Sequence, residues 1–598
     1  MTFRAPVDDI LFTMAHAAGM ERGIADGLYA DLADGTARSV LEEAAKYAEG
    51  VLEPINRIGD QEGCRLADGV VTTPTGWKDA YKAWVEGGWQ GLPAPSEAGG
   101  MGLPSLLHAA CMDMWGAGNM AFMLGPVLSY GAVDALVAHG SPELQAKYVS
   151  RIVSGEWPAT MNLTEPQAGS DLNALRSRAE PVGDGTYRIT GQKIYITYGE
   201  HDLSDNIIHL VLARLPDAPF GTKGISLFLV PKFLVNDDGS LGARNDLRCT
   251  GLEHKMGIHG SPTCSMSYGD NGGAIGWLVG EENRGLACMF TMMNNARLAT
   301  ALQGVSVGEA SFQKALAYAN ERRQGRAPGW SGEGMSPIVL HPDVQRMLLT
   351  MKAQTSAARS ICYMVAESID RAHRATDPAE RKAAADRTAL LTPVAKAFST
   401  DSGNEISSLG VQVHGGMGYI EETGAAQYMR DARIAGIYEG TNGIQAIDLV
   451  TRKLPLQGGE VVRREIATMR ATVDAVRAAN APVFGAMAAR LGEAVDALER
   501  ATTFQLEALG KAPASALAGA TPYLRLFALA RGGASLADMA LAAHRLSAAG
   551  DTDPAHAGRI TLARFWAETA VVAASGLEAQ VTAGADALAG AETLLQVA

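Results

Sequence analysis

Ile207-Ile208-His209-Leu210-Val211-Leu212-Ala213, followed by Gly224-Ile225-Ser226-Leu227-Phe228-Leu229-Val230-Pro231, is the pair of runs that decides the fold class. Each is short, rich in β-branched or large apolar residues, and bounded by Gly, Asp or Pro, which is the pattern of a strand. Tyr187-Arg188-Ile189-Thr190 reads the same way. No long helical segment lies between these runs to carry parallel crossovers, so residues 158–281 are expected to form an antiparallel β domain.

On either side the period changes. Through residues 35–157 apolar residues recur three and four apart, punctuated by loops such as Gly91-Leu92-Pro93-Ala94-Pro95. That segment is expected to be helical, preceded by an N-terminal extension over residues 1–34. Helical periodicity returns over 282–455, interrupted by Gly325-Arg326-Ala327-Pro328-Gly329-Trp330-Ser331-Gly332-Glu333-Gly334, which is too rich in Gly and Pro for a helix and is expected to be a surface loop. Residues 456–598 become Ala-rich, with Leu491, Val495 and Leu498 at amphipathic spacing and Thr521-Pro522 as a helix-opening pair. The expected fold is α+β and mostly helical: an N-terminal helical domain, a central antiparallel β domain, a C-terminal helical bundle and an extra C-terminal helical extension.

Composition narrows the function classes. Of 598 residues, 47% are hydrophobic and 19% charged, as in a folded protein of several structural units. A net charge of −14 without a Lys/Arg block argues against nucleic acid as a partner. The six cysteines are scattered with no CxxC pair, which fits a reducing compartment. Asp8 and Asp9 stand where an export signal carries basic residues, and the most apolar window, 120–140, contains Gly125, Pro126, Ser129, Gly131 and Asp134. That window suits a buried helix better than a membrane span, so a soluble cytoplasmic protein is expected. Five-residue spacing in the series Cys249, His254, His259, Cys264 does not suit zinc, and no metal site is expected. No GxGxxG follows an expected strand near a helix start, so a Rossmann nicotinamide or flavin site has no support.

Three segments carry chemistry. Val413-His414-Gly415-Gly416-Met417-Gly418-Tyr419 precedes Arg430-Asp431-Ala432-Arg433-Ile434-Ala435-Gly436-Ile437-Tyr438-Glu439-Gly440-Thr441-Asn442, which sets a single carboxylate, Glu439, between apolar neighbours and a glycine. An apolar setting raises a carboxylate's pKa towards neutrality, so Glu439 is the first candidate for a general base. Met161-Asn162-Leu163-Thr164-Glu165-Pro166-Gln167-Ala168-Gly169-Ser170-Asp171 offers hydroxyls and glycine-flanked amides for the polar edge of a planar heterocycle or a phosphate. In Lys193-Ile194-Tyr195-Ile196-Thr197, strand alternation puts Tyr195 and Thr197 on one side. Asn442 with Gln445 reads as a capping pair, so a helix is expected to begin there.

Taken in order, Leu163 to Pro166 with Ala168 to Asp171, Lys193 to Thr197, Gly416 to Tyr419, Arg430 to Arg433 and Tyr438 to Thr441 resemble the ordered signatures of the acyl-CoA dehydrogenase family, across about residues 35–455. The resemblance implies FAD-dependent α,β-dehydrogenation of an acyl-CoA thioester to the trans-2-enoyl-CoA: a base takes the α-proton while the β-hydrogen leaves as hydride to the flavin. Glu439 is the implied base, its backbone amide helping to bind the thioester oxygen. Some relatives place the base just before the arginine matching Arg297, but here that position is Ala296, which cannot accept a proton.

By the same resemblance Met161, Leu163, Thr164, Tyr195, Ile196 and Thr197 line the isoalloxazine. Ser170, Asn294 and Arg297 contact coenzyme A, and Gly440 borders the acyl chain. Arg322, Gln345, Gln412, Gly415 and Gly416 reach the FAD of a neighbouring subunit, with Thr441 and Asn442 also on the cofactor side. The implied partners are an acyl-CoA, an electron-transfer flavoprotein and a second copy of the chain in a homodimer or homotetramer. The loop after Arg323 and the C-terminal extension resemble those of the larger bacterial 3-methylmercaptopropionyl-CoA dehydrogenases, which implies 3-(methylthio)propanoyl-CoA as the favoured substrate. The alternatives are a medium- or long-chain enzyme of β-oxidation, an acyl-CoA oxidase, and a flavoprotein with a nucleic-acid-binding role, against which the acidic balance and Glu439 both count. The sequence departs from the family at Asn294, where many relatives have Asp, at Tyr195, where many have Trp, and at Gln324-Gly325, where a Phe-Gly step is common.

Overall fold

The computed structural model describes residues 3–596, apart from the side chains of residues 293 and 294. The chain forms two compact units, one of residues 46–104 and 118–299, the other of residues 1–45, 105–117 and 300–598.

The first unit holds all twelve described strands: β1 (Arg65–Ala67), β2 (Val70–Thr72), β3 (Ala159–Asn162), β4 (Arg178–Pro181), β5 (Tyr187–Thr197), β6 (Ile208–Ala213), β7 (Ser226–Pro231), β8 (Phe233–Val235), β9 (Leu241–Arg244), β10 (Leu247–Leu252), β11 (Thr263–Tyr268) and β12 (Ala274–Val279). Eight of them make one sheet in the order β10-β11-β5-β12-β7-β6-β3, with β4 on β5. It is antiparallel as expected except at one edge, where β3 runs parallel to β6 in the register Met161↔Leu210. The crossover that parallel pairing requires is made here by β4 and β5 rather than by a helix. Every residue of β6 and β7 is buried, because both faces are covered. Leu210, Leu212, Leu227 and Leu229 pack with Leu128, Leu136, Tyr148 and Trp157, while Val211, Phe228 and Val230 share a second core with Cys264 and Met266 of β11.

One further feature differs from the sequence expectation: the hairpin β1–β2 lies inside the segment read as helical. The apolar window lies in the helix Ser105–His139, which breaks at Asn119 (φ −161°, ψ 95°). Asn119 Oδ1 accepts from the amide of Phe122 at 3.0 Å and so caps the second half of that helix.

In the second unit the helices Pro342–Arg374 and Pro378–His414 form an antiparallel pair, the latter capped by Asp377. The extension packs on this pair through the helix Ala520–Ala548. A Cβ added to Gly532 there would lie 2.9 Å from Ala357 Cβ, so the glycine permits a close crossing. That helix begins at Ala520 behind Gly519, so Thr521 and Pro522 sit in its first turn rather than opening it. Ser105–His139 and Ala520–Ala548 are long and apolar enough to cross a membrane, but both are mostly buried.

Buried charge ties this unit together. Arg359, 1% exposed, meets Asp113 at 2.6 Å and Glu309 at 3.1 Å, and the Tyr363 hydroxyl donates to Asp113 at 2.9 Å. Lys352 bonds Asp9 of the N-terminal helix at 3.0 Å and lies 3.5 Å from Glu309. In the extension, Glu465 is shared by Arg387 and Arg531.

Candidate active site

Glu439 sits in a turn between the short helical segment Arg433–Gly436 and the helix Asn442–Asp448. It adopts the left-handed region (φ 55°) and is followed by Gly440 at φ 81°. A non-glycine residue there costs about 1–2 kcal/mol, so the turn needs outside support. Gln445 Nε2 donates to the Glu439 carbonyl at 3.2 Å, and a Cβ at Gly440 would approach that same nitrogen to 2.8 Å. Lys396, fully buried, donates to the Gly440 carbonyl and to Asn442 Oδ1, both at 2.9 Å. Asn442 Nδ2 in turn donates to Asp401 Oδ1 at 2.7 Å.

Glu439 itself is half-buried, and Ile437 beside it is 47% exposed. The setting is therefore more open than the flanking sequence suggests. The Tyr438 hydroxyl donates to Gln303 Oε1. Burial, then the adjacent Glu439 charge, raise its pKa well above the usual tyrosine value, so it stays protonated. The cap of the following helix is Thr441, whose hydroxyl accepts from the Ile444 amide at 3.2 Å. This corrects the expected Asn442–Gln445 capping pair: Asn442 is engaged with Thr400 and Asp401 and Gln445 with the carbonyls of the turn, which leaves Thr441 to cap.

In the other unit, the loop after β3 and the end of β5 are laced together. Thr160 Oγ1 donates to the Thr197 carbonyl at 2.7 Å, and the Ile194 amide to the Thr164 carbonyl at 3.0 Å. Tyr195 takes a left-handed φ of 60° beside a register shift in the β5–β11 ladder. Beyond this bulge alternation holds, with Tyr195 60% exposed, Ile196 buried and Thr197 half-buried. Met161 and Leu163 are half-buried, whereas Asn162 between them points into the interior and bonds Tyr268 and His209.

Sequence reasoning missed the residues that hold these two segments. Lys193 Nζ bonds Glu165 Oε1 at 2.9 Å and the Leu163 carbonyl at 3.1 Å, with both side chains buried. Burial alone would raise the Glu165 carboxyl, but Lys193 and the bonds from Ser177 and the Arg176 amide bring it down to about 2. Lys193→Met would leave that carboxylate buried without its cation, an expected loss of about 3–5 kcal/mol. Holoenzyme carrying this change should release FAD at least about tenfold more readily in equilibrium dialysis; unchanged retention would separate the pair from the cofactor.

Arg322, Gln345, Gln412, Gly415 and Gly416 gather at the ends of three helices of the second unit, over a core that includes Ala319, Leu348, Met351 and Val413. All five are exposed. Arg322 bonds the neutral Gln324 and has no carboxylate partner among the described residues. Gly415 (φ 58°) and Gly416 face open space. Gln412 lies sixteen residues beyond Lys396 on one helix, about 24 Å along its axis, so this cluster is remote from the Glu439 turn of the same chain. Ser170 is exposed, Ala296 and Arg297 are buried, and the side chain of Asn294 lies outside the described residues.

Four family models match in chain order. They are the acyl-CoA dehydrogenase N-terminal domain at residues 36–156, the middle domain at 160–270, the C-terminal domain at 283–454 and an acetyl-CoA dehydrogenase C-terminal-like domain at 466–592. The chain belongs to the acyl-CoA dehydrogenase family. It is 45% identical to a 3-methylmercaptopropionyl-CoA dehydrogenase of Ruegeria pomeroyi over 98% of this chain and 99% of that one. It is 39% identical to a butyryl-CoA dehydrogenase of Syntrophomonas wolfei over 71% of each. In fold it resembles Caenorhabditis elegans ACDH-11 in complex with C11-CoA, at a TM-score of 0.77 and 19% identity over 96% of this chain and 92% of that one.

This acyl-CoA dehydrogenase is an FAD enzyme, and its donor set suits that cofactor. Among the described residues the hydroxyls of Thr164 and Thr197 form no hydrogen bond, which leaves both for a heterocycle's polar edge. Arg322, with no carboxylate to neutralise it, suits a phosphate.

Proposed function

We propose that this acyl-CoA dehydrogenase acts on 3-(methylthio)propanoyl-CoA, with Glu439 as the base that removes the α-proton. The full-length likeness to the Ruegeria pomeroyi enzyme supports the substrate. The observation that carries the base assignment is the Glu439 turn, a left-handed pair of residues whose carbonyls are held by Gln445 and Lys396. A fixed backbone limits where the carboxylate can go, which is how geometry accelerates a proton transfer. Ala296 at the rival position offers no acceptor.

Bound FAD supplies the hydride acceptor. Met161, Leu163, Thr164 and Tyr195 to Thr197 flank its ring, with the Thr164 and Thr197 hydroxyls meeting its polar edge. Gly440 borders the acyl chain, and Ser170, Asn294 and Arg297 serve the coenzyme A portion. Thr441 and Asn442 act on the cofactor side by fixing the turn. Arg322, Gln345, Gln412, Gly415 and Gly416 hold the FAD of a second copy, a role supported by their distance from Glu439 along one helix. Beside them Met417, Tyr419 and Ile420 are 48%, 87% and 45% exposed, as a homodimer or homotetramer contact would require. An electron-transfer flavoprotein reoxidises the enzyme, in the cytoplasm, where the six cysteines stay as free thiols.

Steady-state turnover of a panel of acyl-CoAs, with an electron-transfer flavoprotein or with dioxygen, tests this reading. The highest kcat/KM is expected for 3-(methylthio)propanoyl-CoA with the flavoprotein acceptor. A preference for long straight chains would contradict the substrate, and stoichiometric peroxide in air would make the enzyme an oxidase.

A further inference from the structure

Lys396 lies in the helix Pro378–His414 among apolar neighbours, Val394, Ala395, Ala397 and Phe398, all buried. An ammonium is rarely placed there unless its protons are used. Two of them go to Gly440 O and Asn442 Oδ1. One turn further along the same helix face, Thr400 and Asp401 hold the other end of the Asn442 amide. From the opposite side Gln445, fully buried, reaches back to the carbonyls of Glu439 and Gly440 at 3.2 and 3.4 Å. The carbonyls of the two left-handed residues are thus gripped from two helices, and the stronger, charge-assisted grip comes from Lys396.

We propose that Lys396 is a positioning residue for dehydrogenation: its buried ammonium holds the 439–440 turn in the left-handed conformation from which the Glu439 carboxylate reaches the α-proton. The inference rests on Glu439 being the base. Lys396 does not touch the reacting atoms; it restricts the backbone that carries the base. Releasing that backbone lets the carboxylate leave its reactive geometry, and a displacement of about 1 Å costs on the order of a hundredfold in rate.

The test uses Lys396→Met, Lys396→Arg and Glu439→Gln as FAD-loaded full-length proteins. Lys396→Met should reduce its flavin about a hundredfold more slowly than wild type under saturating acyl-CoA. It should bind a CoA thioether that lacks the thioester carbonyl within about threefold of wild type, because the effect is on geometry rather than affinity. Hydrogen exchange should quicken at the amides of residues 436–446, with and without FAD, and not throughout the helix. Lys396→Arg, which keeps the charge and the donors, should recover the rate to within about tenfold.

A wild-type reduction rate in Lys396→Met would overturn the proposal, as would a slow rate with unchanged exchange in the turn. If Lys396→Met does not fold, Gln445→Leu removes the other grip and should slow reduction about tenfold with the same local exchange. A wild-type rate in that soluble holoenzyme would likewise overturn it. Glu439→Gln separates the two levels. If it still reduces its flavin, the base assignment fails and the positioning role with it; if it is inactive while Lys396→Met is normal, only the positioning role fails.

Discussion

Glu439→Gln is expected to keep its FAD and its fold while losing substrate-driven flavin reduction by at least about 10³-fold, equivalent to about 4 kcal/mol of barrier. The substitution is nearly isosteric, and the turn is held through its main-chain carbonyls: Gln445 holds that of residue 439 and Lys396 that of residue 440. What changes is the ability to accept a proton. The amide has no basic lone pair at neutral pH, and neither other candidate can substitute. Tyr438 is held protonated by burial and by the Glu439 charge, and the rival position is alanine. Stopped-flow absorbance of wild type and variant under nitrogen reads the ratio directly; a variant within tenfold of wild type would assign the base elsewhere.

The second large effect is on stability. Arg359→Leu removes the guanidinium that meets both Asp113 and Glu309 in the helical interior. Asp113 would keep only the Tyr363 hydroxyl and lose its cation, and Glu309 would keep only Lys352 at 3.5 Å, which it shares with Asp9. Breaking a buried pair from one side costs about 3–5 kcal/mol, a large part of the 5–15 kcal/mol that holds a typical domain together. A clear fall in the urea midpoint is expected. Arg359→Lys should recover only part of it, since an ammonium cannot reproduce the planar fork.

The same network predicts acid sensitivity. Burial alone would raise Glu309, but Lys352 and Arg359 pull it down to about 2 from an ordinary 4.5. Its contribution, about 3 kcal/mol by linkage, is fully present above pH 4.5 and is lost as pH falls towards 2. Equal urea midpoints for Arg359→Leu and wild type would remove this network from the account.

Much of this was legible in the sequence because the signals are local. The apolar runs at 207–213 and 224–231 gave strands, both faces of which are buried, whereas the left-handed turn at Glu439 and Gly440 was not foreseen. What stayed hidden depends on contacts between distant residues. Lys396 meets a carbonyl 44 positions away, although a lone lysine inside Thr392-Pro393-Val394-Ala395-Lys396-Ala397-Phe398 is a signal that could have singled it out. Glu165 and Lys193 were visible as parts of two motifs, but their pairing arises only when the loop after β3 lies along β5. The parallel edge β3–β6 was excluded by assuming that a crossover needs a helix, whereas two strands supply it. The helix after Glu439 is capped one residue earlier than its sequence suggests, by Thr441, because tertiary bonds draw Asn442 away from the cap.

The central claim is that this chain draws hydrogen from an acyl-CoA through Glu439. Anaerobic mixing of the FAD-loaded protein with 3-(methylthio)propanoyl-CoA tests it most directly. The account predicts rapid bleaching of the flavin's visible absorbance with formation of the enoyl-CoA. A spectrum unchanged by this thioester and by short- and medium-chain acyl-CoAs would contradict it.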